Sequence, residues 1–164
     1  MNQENETMRA VCLDTVCAIT EISRSTWQRR IGKGEFTQLP DGLRGRKMLL
    51  WSEVEPYICV SLTNEERRLV FAADFGEPEA QNDVGQLFFL ADKAKAAYYW
   101  FQLAAQQGCV DAMHWLGQCH LMGAGVVKDD HMGLMWIAKS AALGHAIAQG
   151  QMTWLIGQAG TSRC

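Results

Sequence analysis

Two stretches decide the fold: Trp100-Phe101-Gln102-Leu103-Ala104-Ala105-Gln106-Gln107-Gly108 and Trp136-Ile137-Ala138-Lys139-Ser140-Ala141-Ala142-Leu143-Gly144. Tryptophan, alanine and glycine recur in them at an interval of 36, pairing Trp100 with Trp136, Ala105 with Ala141 and Gly108 with Gly144. Ala112 and Ala148 extend the series. Towards the N-terminus, Gly76, Ala80 and Gly85 match Gly108, Ala112 and Gly117 at an interval of 32, so the earlier inter-helix loop is four residues shorter. Self-similarity at such a period marks a helical solenoid, whose units bury their apolar faces against their neighbours. Ala105, Ala141 and Gly117 are small enough to let paired helices approach closely. Trp100, Trp115, Trp136 and Trp154 are expected to fill the gaps between helices.

The remaining third of the chain is built differently. Of its 164 residues, 48% are hydrophobic and 20% charged, the proportions of a globular protein. No apolar run approaches the roughly 18 residues needed to span a bilayer, and the polar, acidic N-terminus does not read as a secretory signal. Six cysteines show no CxxC pair and no regular spacing, which disfavours disulfides and a zinc site and predicts reduced, mostly buried thiols in a cytoplasm. Charge is unevenly placed. Of the 15 Lys/Arg and 18 Asp/Glu, seven and two lie between Ser23 and Lys47, leaving eight and sixteen for the remainder. One concentrated basic patch on a net acidic chain suits local phosphate binding.

That patch lies in a compact pattern. Leu13, Val16, Cys17 and Ile19 predict a short helix, broken at Thr20-Glu21-Ile22, with Ile22 plugging the core. Ser23 then caps a second helix that runs to about Ile31 and stops at Gly32-Lys33-Gly34. Trp27 and Ile31 form its inward stripe, leaving Arg24, Ser25, Gln28 and Arg29 outside. Two short helices across a tight turn predict a helix-turn-helix. Glu35–Leu39, a turn at Pro40-Asp41-Gly42 and Arg46–Trp51 predict a β-hairpin, or wing, with Arg44, Arg46 and Lys47 at its tip. Ser52-Glu53-Val54-Glu55 has the Ser-x-x-Glu pattern of a capping box and is expected to open a third helix. Thr63-Asn64-Glu65-Glu66 has the same form, and its helix is expected to link the head to the solenoid and cap it.

Ile22 to Arg30, Lys33-Gly34-Glu35-Phe36 and Trp51-Ser52-Glu53-Val54-Glu55 together resemble the winged helix-turn-helix head of MerR-type regulators, in particular small AlpA-like and excisionase-like phage regulators. The resemblance implies that Arg24, Ser25, Thr26, Gln28 and Arg29 face a DNA major groove, and that the wing, with Arg44, Arg46 and Lys47, touches backbone or minor groove; Arg30 is a further DNA-binding candidate on the same helix. The chemistry is suited to this: guanidinium forks for phosphate and guanine, an amide for adenine, hydroxyls for either. Residues 112–144, and with a shortened loop 76–108, resemble Sel1-like repeats, relatives of the tetratricopeptide class. That resemblance implies a surface holding another protein.

The expected architecture is mainly α: a winged helix-turn-helix domain over 8–60, then an α/α solenoid of Sel1-like repeats over 62–157. The expected function is that of a bacterial or phage-derived, cytoplasmic, nucleoid-associated transcriptional regulator. Its partners would be double-stranded DNA, a protein on the repeats and a second copy of the chain, with no membrane and no cofactor. The competing class is a protein-interaction adaptor or anti-regulator that does not bind DNA. Catalytic readings find no support. His114, Cys119 and His120 lack metal-ligand spacing, Gly123-Ala124-Gly125 lies between two helices instead of after a strand, and Asp74-Phe75-Gly76 lacks the other kinase motifs. No nucleophile–base set is present, so no enzyme is expected. A small-molecule effector held by the tryptophans is a weaker explanation of them than helix packing.

Overall fold

The computed structural model describes residues 9–39 and 46–161, with side chains to residue 158. The chain divides into two compact units at 75/76. The first holds a strand β1 (Ala10–Cys12), helices α1 (Leu13–Thr20) and α2 (Arg24–Gly32), and strands β2 (Gln38–Leu39) and β3 (Met48–Leu50). A one-turn helix α3 (Trp51–Val54) continues as a 3-10 turn (Glu55–Tyr57), and helix α4 (Asn64–Phe75) completes the unit. Leu13, Val16 and Ile19 put one face of α1 into the core, and Glu21 ends the helix in the left-handed region at φ 54°. Ser23 caps α2 as expected, its hydroxyl accepting from the Thr26 N–H at 3.3 Å.

Trp27 is the centre of this unit. Its indole is fully buried and donates to the Thr20 hydroxyl at 3.1 Å, which donates in turn to the Val16 carbonyl at 2.7 Å. Phe36 and Tyr57 meet it edge-on, with centroids 4.8 and 5.6 Å away. The second member of the expected inward stripe, Ile31, is only half-buried.

The expected hairpin is present as β2 and β3, with Gln38 opposite Leu49 and Leu39 opposite Met48. Its tip, including Pro40-Asp41-Gly42 and Arg44, lies outside the described residues. Sequence reading missed β1, which makes β3 the central strand of an antiparallel sheet in the order β1-β3-β2. Three residues are too few to show an alternating pattern. Two backbone bonds extend the pairing of β1 with β3: Leu13 N–H to the Lys47 carbonyl and Trp51 N–H to the Arg9 carbonyl.

The first capping box does not form. Helix α3 opens at Trp51, with Leu50 at the cap position and no side-chain cap. The buried Trp51 ring packs on Phe71, 4.8 Å between centroids, while Glu53 accepts from both the Thr37 N–H and its hydroxyl at 2.8 Å. The second box does form. Glu66 accepts from the Thr63 N–H at 2.7 Å, and Thr63 Oγ1 accepts from the Glu66 N–H at 3.2 Å, the reciprocal pair that defines the motif. These bonds hold the Glu66 carboxyl below its ordinary range.

Helix α4 is part of the first unit. Arg67 pairs with Glu55 at 2.6 Å, Arg9 lies 5.0 Å over the Phe71 ring, and Asp74 accepts from Thr15 Oγ1 at 2.5 Å. It is therefore a packed component of the first unit.

The second unit is five helices: α5 (Pro78–Leu90), α6 (Ala94–Gln106), α7 (Val110–Met122), α8 (Asp130–Ala142) and α9 (Ala146–Thr161). Each packs on the next. Three residues join α5 to α6 and seven join α7 to α8, which is the four-residue difference read from the intervals. Gly108 and Gly144 close the recurring turn at φ +95° and +100°, a conformation only glycine adopts without strain. Gly117 serves close approach instead: a Cβ there would lie 2.6 Å from Ile137 Cγ1 and 2.9 Å from the Gly133 carbonyl oxygen of α8.

The tryptophans divide. Trp100 is fully buried, and Trp115 stacks on Phe101 at 5.6 Å with planes 5° apart. Trp136 is half-buried beneath the Lys139 ammonium, 4.9 Å from the ring centroid. Trp154 is 64% exposed and fills no gap between described helices. It stands one interval after Gln118, itself not a core position, so the repeat register assigns it to an outer face.

Candidate functional site

Helix α2 presents the residues expected to read DNA, though not all of them equally. Gln28 and Arg29 are exposed, with no side-chain partner among the described residues. Arg24 is exposed too, but is paired with Asp14 of α1, which fixes its guanidinium at the junction of the two helices. Ser25 and Thr26 are committed to the helix start, their hydroxyls 3.1 and 2.9 Å from Ser23 Oγ. Each keeps hydrogen-bonding capacity, since a hydroxyl both donates and accepts.

Arg30 is a correction to the expected interface. Its guanidinium lies over the rings of Tyr57 and Trp27, 5.2 and 5.9 Å from their centroids, with Nε 3.9 Å from Glu35. Nη1 is buried without a hydrogen-bond partner among the described residues. The residue therefore closes the Trp27 core, and packing over aromatic faces explains its position. Periodicity gave no sign of this place, because a long cationic side chain leaves no apolar signature at its own position.

Arg46 and Lys47 are exposed at the entry to β3. The Lys47 carbonyl accepts from the Leu13 N–H at 2.9 Å, anchoring this segment at the β1–α1 junction. Arg46 Nη1 is 4.0 Å from the buried Cys12 sulfur. Arg44 lies outside the described residues. Lys33, at the C-terminal end of α2, is a further exposed cation that the sequence reading left out. The candidate surface is thus a helix face of Arg24, Gln28 and Arg29, with Lys33 beyond it, and a separate pair of exposed cations, Arg46 and Lys47, at the entry to β3. One guanidinium held by an ion pair, a second open to solvent and an unpaired amide on one helix face can contact phosphates and base edges.

Elsewhere the reactive side chains are quiet. Five thiols are free among the described residues, and burial pushes the Cys119 thiol up to about 11. Among the described residues, no group of three or more His, Cys, Asp or Glu is placed to hold a metal ion. No described helix is long and apolar enough to cross a membrane.

The second unit is defined by its geometry as an α/α helical-repeat solenoid. Residues 78–109 and 110–145 match the Sel1 repeat, with boundaries that fall at the interval read from the sequence. A Sel1 repeat protein from Oxalobacter formigenes is 30% identical with a TM-score of 0.52, over 62% of this chain and 31% of that one. The chain thus covers under a third of that relative's length. Cysteine rich protein B of Helicobacter pylori shares the fold at 19% identity and a TM-score of 0.50, over 60% of this chain and 77% of its own. Sel1 repeats indicate protein–protein interaction. The first unit, with two helices across a turn and a three-stranded sheet, is compatible with a winged helix-turn-helix.

Proposed function

We propose that this protein is a DNA-docked interaction adaptor of the transcription-regulator class. Its Sel1 repeats hold a protein partner, and its first unit places that partner on duplex DNA. One observation carries the DNA half: α2 is capped, braced on Trp27 and cross-linked to α1 through Arg24–Asp14, yet leaves Gln28 and Arg29 open to solvent. The resemblance of Ile22 to Arg30 to MerR- and AlpA-type heads supports the same reading. The interaction half rests on the repeats themselves and on exposed apolar side chains of α5, α7 and α9, namely Leu90, Met122, Ile147 and Trp154. A second copy bound through the repeats would bring two heads to one site, and the protein would work without cofactor or catalysis, in the cytoplasm at the nucleoid.

Selection of genomic fragments by the full chain, followed by titration of variants, tests this proposal. Gln28→Ala is expected to relax preference at one base position by about 1–3 kcal/mol. Arg29→Ala should weaken binding to all duplexes and reduce the salt slope by about one. An adaptor that docks its head on protein would leave both variants indistinguishable from wild type on DNA.

A further inference from the structure

Two histidines 31 positions apart in the sequence meet face to face in the repeat unit. The rings of His114 on α7 and His145 in the α8–α9 turn are 4.5 Å apart with planes inclined by 23°. His145 is wired at both nitrogens. Its Nδ1 accepts from the Ala148 N–H at 3.1 Å, capping the start of α9, and its Nε2 lies 3.4 Å from the Asp111 carboxylate of α7. An imidazole that accepts at Nδ1 carries its proton on Nε2, so the neutral ring satisfies both neighbours at once. His114 is buried, with Nε2 3.2 Å from Gln151 Oε1 on α9 and 3.3 Å from Gln118 Nε2 on its own helix.

We propose that the His114–His145 stack is a proton-operated latch that holds α9 on the repeat unit when both rings are neutral and releases it in mild acid. A second proton on His145 must go to Nδ1, where it displaces the Ala148 N–H and removes the cap. A proton on His114 faces either the cation or the neutral ring stacked against it, on a side chain that is itself buried. The counter-charge is limited. Asp111 is the acidic group facing the pair and is itself exposed, Gln118 and Gln151 are neutral, and α9 brings no titratable side chain between residues 146 and 158. On α8 the nearest cation, Lys139, is engaged over Trp136.

Burial, and then His145, lower the affinity of His114 for a proton, against smaller opposing effects of Gln151 and Asp111. The direction sets the pH window. A histidine held below its ordinary value contributes its stabilisation above about pH 6.5, and that contribution is lost as pH falls through the lowered folded value. What is released is the segment whose Ala148 is fully buried in the unit, so acid exposes the contact face between α8 and α9. The latch operates whatever partner the repeats hold.

Amide hydrogen exchange of the full chain at pH 7.5 and 5.0, corrected for intrinsic rates, tests the latch. Protection of the α9 amides, Ala148 first, is expected to fall by about tenfold or more relative to α7 in acid. The double variant His114→Gln, His145→Asn keeps a polar ring-sized contact and a capping side chain without a titrating group, and its α9 protection should be independent of pH. Equal protection of α9 at the two pH values in wild type would overturn the proposal. So would the same acid loss in the double variant, and so would proton-NMR titration showing the two rings charging together without mutual interference.

Discussion

Replacing Trp27 with alanine is expected to cost the first unit about 3–5 kcal/mol, the range for removing a fully buried large aromatic side chain. The loss is concentrated because Trp27 contacts three separate parts of the unit at once. Its ring faces Phe36 before the hairpin and Tyr57 after it, its N–H holds Thr20 at the end of α1, and its face receives the Arg30 guanidinium. At roughly 0.05–0.15 kcal/mol per residue, a 75-residue unit has about 4–11 kcal/mol in all, so the substitution removes much of it. Urea unfolding should show the first unit's transition moving to near-zero denaturant while most helical signal, which belongs to the repeats, persists. The same protein should lose duplex binding. Trp136→Ala serves as the contrast: half-buried and covered by Lys139, it should cost far less.

Gly117→Val is expected to have the largest effect in the repeat unit. An added Cβ would stand 2.9 Å from the Gly133 carbonyl oxygen and 3.2 Å from the Ile137 nitrogen, both backbone atoms of α8, and 2.6 Å from Ile137 Cγ1. Ile137 could rotate away, but the backbone cannot, so α7 and α8 must separate. Overpacking of this kind costs about 1–3 kcal/mol for added methylenes, and rigid backbone obstruction by a branched side chain places the cost at or above the upper end. Thermal unfolding should show the repeat transition falling well below wild type. Gly150→Ala is the opposite case. A Cβ there meets nothing within 4 Å, and replacing glycine in the interior of α9 should stabilise by about 0.5–1 kcal/mol.

The contrast between those two glycines marks what the sequence can and cannot reveal. The repeat was legible because solenoid packing forces identical solutions at fixed spacing, so Trp100, Gly108 and Gly117 announce a geometry that recurs. The cap of α2 and the Thr63–Glu66 box were legible because capping is local. Ser52 and Glu55 offered the same local pattern, but burial of Trp51 against Phe71 started the helix two residues earlier. Tertiary packing outweighed the motif. The inward place of Arg30 was hidden for a related reason: a charged side chain packed over aromatic rings carries no apolar periodicity. The His114–His145 contact was invisible because it joins α7 to the turn between α8 and α9, and only the assembled repeat brings them to 4.5 Å.

The central claim is that the first unit docks on duplex DNA through exposed cations fixed on α2 and the wing entry. The direct measurement is fluorescence anisotropy of the full chain on random-sequence duplex between 50 and 200 mM salt, with the proton-NMR signal of the buried Trp27 indole N–H reporting that the head is folded. Engagement of about five phosphates predicts a log–log slope near −4 to −5. A folded chain that binds no duplex at 50 mM salt, or binds it with no salt dependence, would contradict the account.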